Sequence, residues 1–145
     1  MRIRSSCVLV EGVGLLLTTS PILAHHWFPR ESDTPVQMVG TVTKLVWVNP
    51  HVSFFIDVKD EAGKVRNWEI ELGSVGALVS RGWNRDSLKF ADAVSVDAYV
   101  VKGKPNMAVA RCVRFPSGRR VFAGSHAGDL PDPAATDRAV CPQTR

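Results

Sequence analysis

Residues 40–58, GTVTKLVWVNPHVSFFIDV, decide the fold of this 145-residue chain. The first half of the stretch is rich in Val and Thr, and in the second half every other residue from 52 to 58 is apolar. Such alternation is typical of strands that bury one face, and Asn49-Pro50 supplies the break between two of them. The stretch therefore predicts two antiparallel strands that pair with each other.

The apolar spacing within the first strand is irregular. Val42, Leu45 and Trp47 cannot all face inward on a regular strand, because side chains alternate between faces and positions 42 and 45 differ by an odd number. A bulge near Lys44 would bring the three side chains to one face, and bulges help a long strand to curve. The first strand is therefore predicted to bend around a barrel.

A third strand and a short helix follow. Residues 60–63 predict a turn, and residues 65–72 predict a strand with Trp68 on its buried face. Beyond this strand the apolar spacing becomes helical, with Ser74 placed to cap the start of a helix and Gly82 placed to end it. One short helix is therefore expected after three strands.

Residues 93–101 and 107–115 alternate again and form a predicted hairpin, and residues 119–122 add a short strand. The order βββαββ is that of an all-β, five-stranded, OB-like barrel with one short helix, in which the helix plugs an open end. A small antiparallel sandwich is the alternative. The predicted core consists of Val42, Phe54, Ile56, Val58, Trp68, Ile70, Leu78, Val94 and Val96.

The N-terminal segment has the features of an export signal. A short basic start precedes an apolar run that ends on Ala24, which predicts a cleaved signal peptide over residues 1–24, and the run is too short to read as a membrane span. The mature protein then divides into an arm (25–37), the barrel domain (38–124) and a Pro-rich and Ala-rich flexible tail (125–145). We expect a periplasmic or secreted protein without a stable membrane span after cleavage.

Charge and cysteines narrow the options. The formal net charge is only +4, which does not favour a nucleic-acid partner. Cys112 lies in a predicted strand and Cys141 in the predicted tail, and an oxidising compartment leaves a bridge between them open. Because the tail offers no evident reason to dock, we predict a buried thiol at Cys112, a free thiol at Cys141 and no required disulfide.

Several short motifs along the chain, taken together, resemble those of a known protein family. They are Ala24-His25-His26, Gly40-Thr41-Val42-Thr43-Lys44, Trp47-Val48-Asn49-Pro50-His51, Trp68 with Glu71-Leu72-Gly73, Arg81-Gly82-Trp83 through Leu88-Lys89, and Gly118-Arg119 to Gly124. Together they resemble a family of small exported bacterial proteins of unknown function, from about residue 24 to residue 125. The chain departs from that family's pattern at Trp27, where a small polar residue is usual, and at Phe90-Ala91-Asp92, where Pro-Gly-Asp is usual. The resemblance implies relatives and no activity.

Three histidines are the candidate metal ligands. Cleavage after Ala24 would leave His25 with both an α-amine and a ring nitrogen to offer one cation, and copper(II) suits such nitrogen donors best among common divalent metals. His26 follows directly, and His51 lies between the first two strands. An arm of residues 25–37 spans roughly 40 Å when extended, enough to run back along the first strand to His51. The alternative is that His25 and His26 are solvated and that His51 only caps a turn.

The sequence favours a binding module over an enzyme. It contains no Ser-His-Asp grouping, phosphate loop or Cys-x-x-Cys pair, and Glu69 and Glu71 are interpreted as solvated charges on a strand face. We therefore predict a non-enzymatic barrel without catalytic residues whose partner is a metal ion, with copper(II) as the candidate, or an envelope protein. The alternative is a metal-independent structural or adaptor domain that binds an envelope protein or a carbohydrate through its exposed barrel face and Trp83.

Overall fold

The computed structural model describes residues 30–32, 34–124 and 141. In chain order the described elements are β1 (Val36–Val46), β2 (Ser53–Lys59), β3 (Val65–Glu71), α1 (Val75–Val79), β4 (Ala93–Val100), β5 (Met107–Arg114) and β6 (Arg120–Phe122). The predicted order βββαββ is confirmed, and β6 is the short additional strand.

The strands close into a barrel. Their order in the sheet is β3-β2-β1-β4-β5-β6, and β3 also pairs with β5. This closing pair is parallel, with Glu69 opposite Met107 and Glu71 opposite Val109, whereas the other pairs are antiparallel. The result is the predicted five-stranded barrel rather than a sandwich, with β6 added to the edge of β5.

The predicted bulge lies in β1. Pairing between β1 and β2 shifts register between Val42 and Lys44, so Thr43 is the extra residue. Beyond the shift Leu45 and Trp47 pack against the same core as Val42, as the odd spacing required. The strand also crosses β2 closely at Gly40, where a Cβ atom would lie 2.7 Å from the carbonyl oxygen of Asp57. A side chain would not fit at that crossing.

Most of the predicted core is confirmed, but two of its members are less buried than expected. The fully buried members are Val42, Phe54, Ile56, Ile70, Leu78, Val94 and Val96. Val58 and Trp68 are only half-buried, although they pack against the same core. Val58 lies near the end of β2 and Trp68 lies in the middle of β3, opposite Ile56, so the barrel is less completely covered beside this part of the two strands.

The helix covers the other end of the barrel. Ser74 caps it as predicted, because its Oγ accepts a hydrogen bond of 3.3 Å from the N–H of Ala77. Leu78 and Trp83 are 1% and 2% exposed, and the Trp83 indole N–H donates to the carbonyl oxygen of Phe122 at 3.2 Å. Trp83 therefore belongs to the core, and the alternative in which it serves as an exposed docking residue is wrong.

A disulfide joins Cys112 to Cys141, with their Cα atoms 5.8 Å apart, so the prediction of a free Cys141 is wrong. Cys112 and Phe122 lie opposite each other on β5 and β6, while the neighbouring pair Val113 and Val121 joins the main core. Because side chains alternate, Cys112 and Phe122 face the outside of the barrel. Cys141, itself fully buried, completes a separate apolar cluster there.

The remaining predicted segments cannot be compared with the structure, since the signal peptide, residues 25–29 and 33 of the arm, and the tail apart from Cys141 lie outside the described residues. Within the part of the chain that is described, no helix has the length and apolar character needed to cross a membrane.

Candidate functional site

The site is built on the loop between β1 and β2, which carries His51. The loop contains a cis Asn49-Pro50 peptide bond and is held against the junction of β3 and α1. The Asn49 Oδ1 accepts a hydrogen bond of 3.2 Å from the N–H of Val75, at the start of the helix. Val52 and Leu72 are joined by a backbone hydrogen bond of 2.7 Å. These contacts fix the position of His51 next to the end of β3.

His51 is paired with the last residue of that strand. Its Nδ1 lies 2.9 Å from Oε1 of Glu71, and the side chains are 32% and 11% exposed, respectively. Glu71 lies between Ser53 of β2 and Val109 of β5, at the place where the barrel closes. The interpretation of Glu71 as a solvated charge is therefore wrong, because neighbouring strands and the His51 loop cover the position.

The pair has a defined chemistry. A buried carboxylate is costly unless it is hydrogen-bonded or paired, and the His51 ring satisfies that need. When the neutral ring carries its proton on Nδ1, Nε2 holds a lone pair. Glu71 is the one partner of the ring among the described residues, and a third of the His51 side chain is open to solvent. The ring is thus oriented by Glu71 and can bind a further group through Nε2.

His25 and His26 lie outside the described residues, so of the three candidate ligands the structure places only His51. The arm is described from Arg30, which bridges to Val101 and stacks its guanidinium 3.9 Å from the ring centre of Tyr99. Residues 30–32 therefore extend past the N-terminal end of β1 and do not run back along it. Among the described residues no three His, Cys, Asp or Glu side chains are grouped to hold a metal ion. His51, oriented by Glu71, has one ring nitrogen available as a ligand.

A polar cluster on the outer face of β1, β2 and β3 was not predicted. The Asn67 side-chain amide donates to Thr43 Oγ1 at 3.0 Å and to Asp57 Oδ1 at 2.7 Å. The Lys44 ammonium lies 5.4 Å from the ring centre of Phe55, which is half-buried on the same face. Alternation identified the residues that face outward, but the contacts between them depend on strand register.

The chain was compared with known families, curated proteins and solved structures. A model described as a family of unknown function (DUF6152) matches residues 14–108. No curated protein and no solved structure matches the chain. The matched region includes His25, His26, His51 and Glu71, and it ends just inside β5.

Proposed function

Because the chain belongs to DUF6152, a family of unknown function, we propose its role from its own residues: an exported, non-enzymatic barrel protein that binds copper(II) through His51 and the mature N-terminus. The observation that carries this proposal is the 2.9 Å contact between Nδ1 of His51 and Oε1 of Glu71. Nδ1 of the histidine thus contacts a carboxylate, and Nε2 is available to bind a metal ion.

That arrangement is the usual one for a metal-binding histidine. A ligating imidazole commonly donates its second ring N–H to a carboxylate, which fixes the ring and raises the basicity of the ligating nitrogen. Glu71 supplies that carboxylate at a position where burial restricts its movement. An imidazole that only capped a turn would not need such a partner.

The remaining ligands in the proposal are the amine and ring of His25, with His26 beside them. Nitrogen donors of this kind bind copper(II) more tightly than other common divalent metals. An N-terminal histidine closes a chelate within one residue, which adds little entropic cost. Copper is therefore the metal that the proposed ligand set favours.

The register of the barrel supports a meeting of the arm with His51. Arg30 pairs with Val101, whose N–H donates to the carbonyl oxygen of Met107. Met107 in turn lies opposite Glu69, two residues before Glu71. The path from Arg30 to Glu71 crosses three spacings between neighbouring strands, of about 4.8 Å each, and then two residues of about 3.3 Å each. Its length is therefore roughly 20 Å. The five residues from Arg30 back to His25 span roughly 17 Å when extended, so ligand side chains can bridge the remainder.

The test is a copper(II) titration of mature protein that begins at His25, followed by calorimetry and electron paramagnetic resonance. His51→Ala and a form whose His25 α-amine is acetylated are each expected to lower the copper affinity. His126→Ala is the matched control and is expected to leave it unchanged. Equal affinity for all four proteins would exclude both the amine and His51 as ligands.

The second candidate is a metal-independent adaptor domain that binds an envelope protein or a carbohydrate. The polar cluster around Asn67 and the half-buried Phe55 favour it, because they form an ordered outer face without Trp83. Phe55→Ala would abolish partner binding in this case, whereas His51→Ala would not.

A further inference from the structure

A cleft opens where β1 separates from β2. The two strands pair from Val46 opposite Ser53 as far as Thr41 opposite Asp57, and no further. The N-terminal part of β1 pairs only with β4, and the end of β2 pairs only with β3. Between them lies a cavity of about 590 Å³, close to the tight crossing at Gly40. This volume is within the range of small-molecule sites in proteins.

The interior of the cleft is apolar. Its lining includes Met38, which belongs to the barrel core, and Val58 and Trp68, which pack against that core. Val36 and Val39 also line it and remain 43% and 64% exposed, respectively. Apolar side chains left open to water around a concavity gain free energy when an apolar ligand covers them.

The rim of the cleft is cationic. It carries Lys59 and Arg66, and Asp60 is the one carboxylate among the described lining residues. That carboxylate is already paired with Arg66, at 3.7 Å, whereas Lys59 makes no ion pair within the described part of the chain. Both cations are hydrogen-bond donors without acceptor capacity. A ligand that complements this rim has to present a negative charge.

We propose that the cleft binds one monomeric alkyl carboxylate, with its chain between Met38, Val58 and Trp68 and its carboxylate at Lys59 and Arg66. The apolar interior selects the chain, and the unbalanced cation selects the head group. The proposal is independent of copper binding, because the cleft lies at the end of β2 and His51 precedes the start of that strand.

The experiment titrates the full mature chain with decanoate, below its micelle concentration, by calorimetry and by amide NMR. One molecule is expected to bind and to shift the signals of Val36, Met38 and Trp68. Each methylene removed from the carboxylate should weaken binding roughly three- to four-fold. Decanol tests the head group, and its binding should be markedly weaker. No binding of decanoate, or equal binding of decanol, would overturn the proposal.

Variants locate the two parts of the ligand. Lys59→Gln should weaken decanoate about two- to five-fold and leave decanol unchanged, whereas Lys89→Gln, an exposed lysine outside the lining, should affect neither. Val36 lies on the exposed wall of the cleft, so two substitutions there add charges of opposite sign. Val36→Glu should weaken decanoate binding by repelling the carboxylate, and Val36→Lys should strengthen it. Equal affinities for these two variants would show that the carboxylate is not held at this rim.

Discussion

Arg120 of β6 reaches across β5 to form an ion pair with Asp97 of β4. The arginine side chain is 5% exposed and the aspartate side chain 20% exposed, so the pair is largely removed from water. Burial lowers the pKa of the Arg120 guanidinium, because desolvation penalises its charged form. The folded state therefore binds this proton less tightly than the unfolded state, and Asp97 offsets a cost that burial imposes.

Removal of one partner should destabilise the barrel. Asp97→Asn is expected to lower the free energy of unfolding by about 3 to 5 kcal/mol, because it removes the negative charge that Asp97 places beside a buried cation. Arg66→Met breaks an exposed pair and should cost about 1 kcal/mol or less. Arginine stays protonated over the working range, so the Asp97→Asn loss should persist up to about pH 9. Urea denaturation of both variants tests this, and similar losses would contradict it.

Local patterns predicted much of the fold because they report on local geometry. The odd spacing of Val42 and Leu45 indicated the bulge, and the change of period after Ser74 indicated the helix. Glu71 was misread because its alternation places it on the outer face, and only the closing pair with β5 and the loop of His51 bury it. Contacts between distant segments of the chain leave no periodic signal.

The burial of Cys141 could not be predicted from the sequence for the same reason. Nothing in its neighbouring sequence is apolar enough to predict burial, yet Cys112 and Phe122 form an outward apolar pair that requires cover. The requirement is visible only once the register of β5 and β6 is known. In the same way, His51 was named as a candidate ligand from the sequence, whereas its contact with Glu71 was not predicted.

The disulfide between Cys112 and Cys141 should contribute substantially to stability. It closes a loop with a sequence separation of 29 residues, for which the chain-entropy model gives about 3 to 4 kcal/mol. Cys141→Ser should lower the free energy of unfolding by this amount, measured by denaturation under non-reducing conditions. Thiol counting on unfolded, unreduced mature protein should find no free thiol. Two free thiols per chain would contradict the bridge.

Ala91 occupies a backbone conformation that suits glycine. Its φ is 69°, and its N–H donates to the carbonyl oxygen of Val42 at 2.8 Å, so the conformation is fixed by β1. Ala91→Gly should raise the free energy of unfolding by about 1 kcal/mol, because it removes the clash of Cβ in the left-handed region. Ala62→Gly is the control in an exposed turn without a positive φ, and it should lower stability. A loss of stability in both variants would contradict the strain at Ala91.

The helix should be an integral part of the barrel core. Leu78 is 1% exposed, and its truncation to alanine should cost about 2 to 5 kcal/mol in free energy of unfolding. Val79, the next residue of the helix, is 55% exposed, so Val79→Ala should cost much less. Thermal and urea denaturation compare the two variants. Equal costs would mean that the helix does not pack on the barrel through Leu78.

Glu71 should govern copper affinity without binding the metal itself. Glu71→Gln removes the charge behind His51 but keeps an oxygen that can accept from Nδ1, so the copper(II) affinity is expected to fall about 10- to 100-fold. Glu69→Gln is the matched control two residues earlier on β3, where the side chain is more exposed, and it should leave the affinity unchanged.

Acidification tests the same relationship, because protons compete with copper for the imidazoles and the amine. In the wild-type protein the affinity should fall as the pH is lowered. In Glu71→Gln the affinity should stay below that of the wild-type protein at every pH tested, since the ring has lost the carboxylate that orients it. Circular dichroism at each pH confirms that both proteins remain folded. If Glu71→Gln and Glu69→Gln gave the same copper affinity across the range, His51 would not be a ligand oriented by Glu71, and the metal-independent adaptor would become the better account of the site.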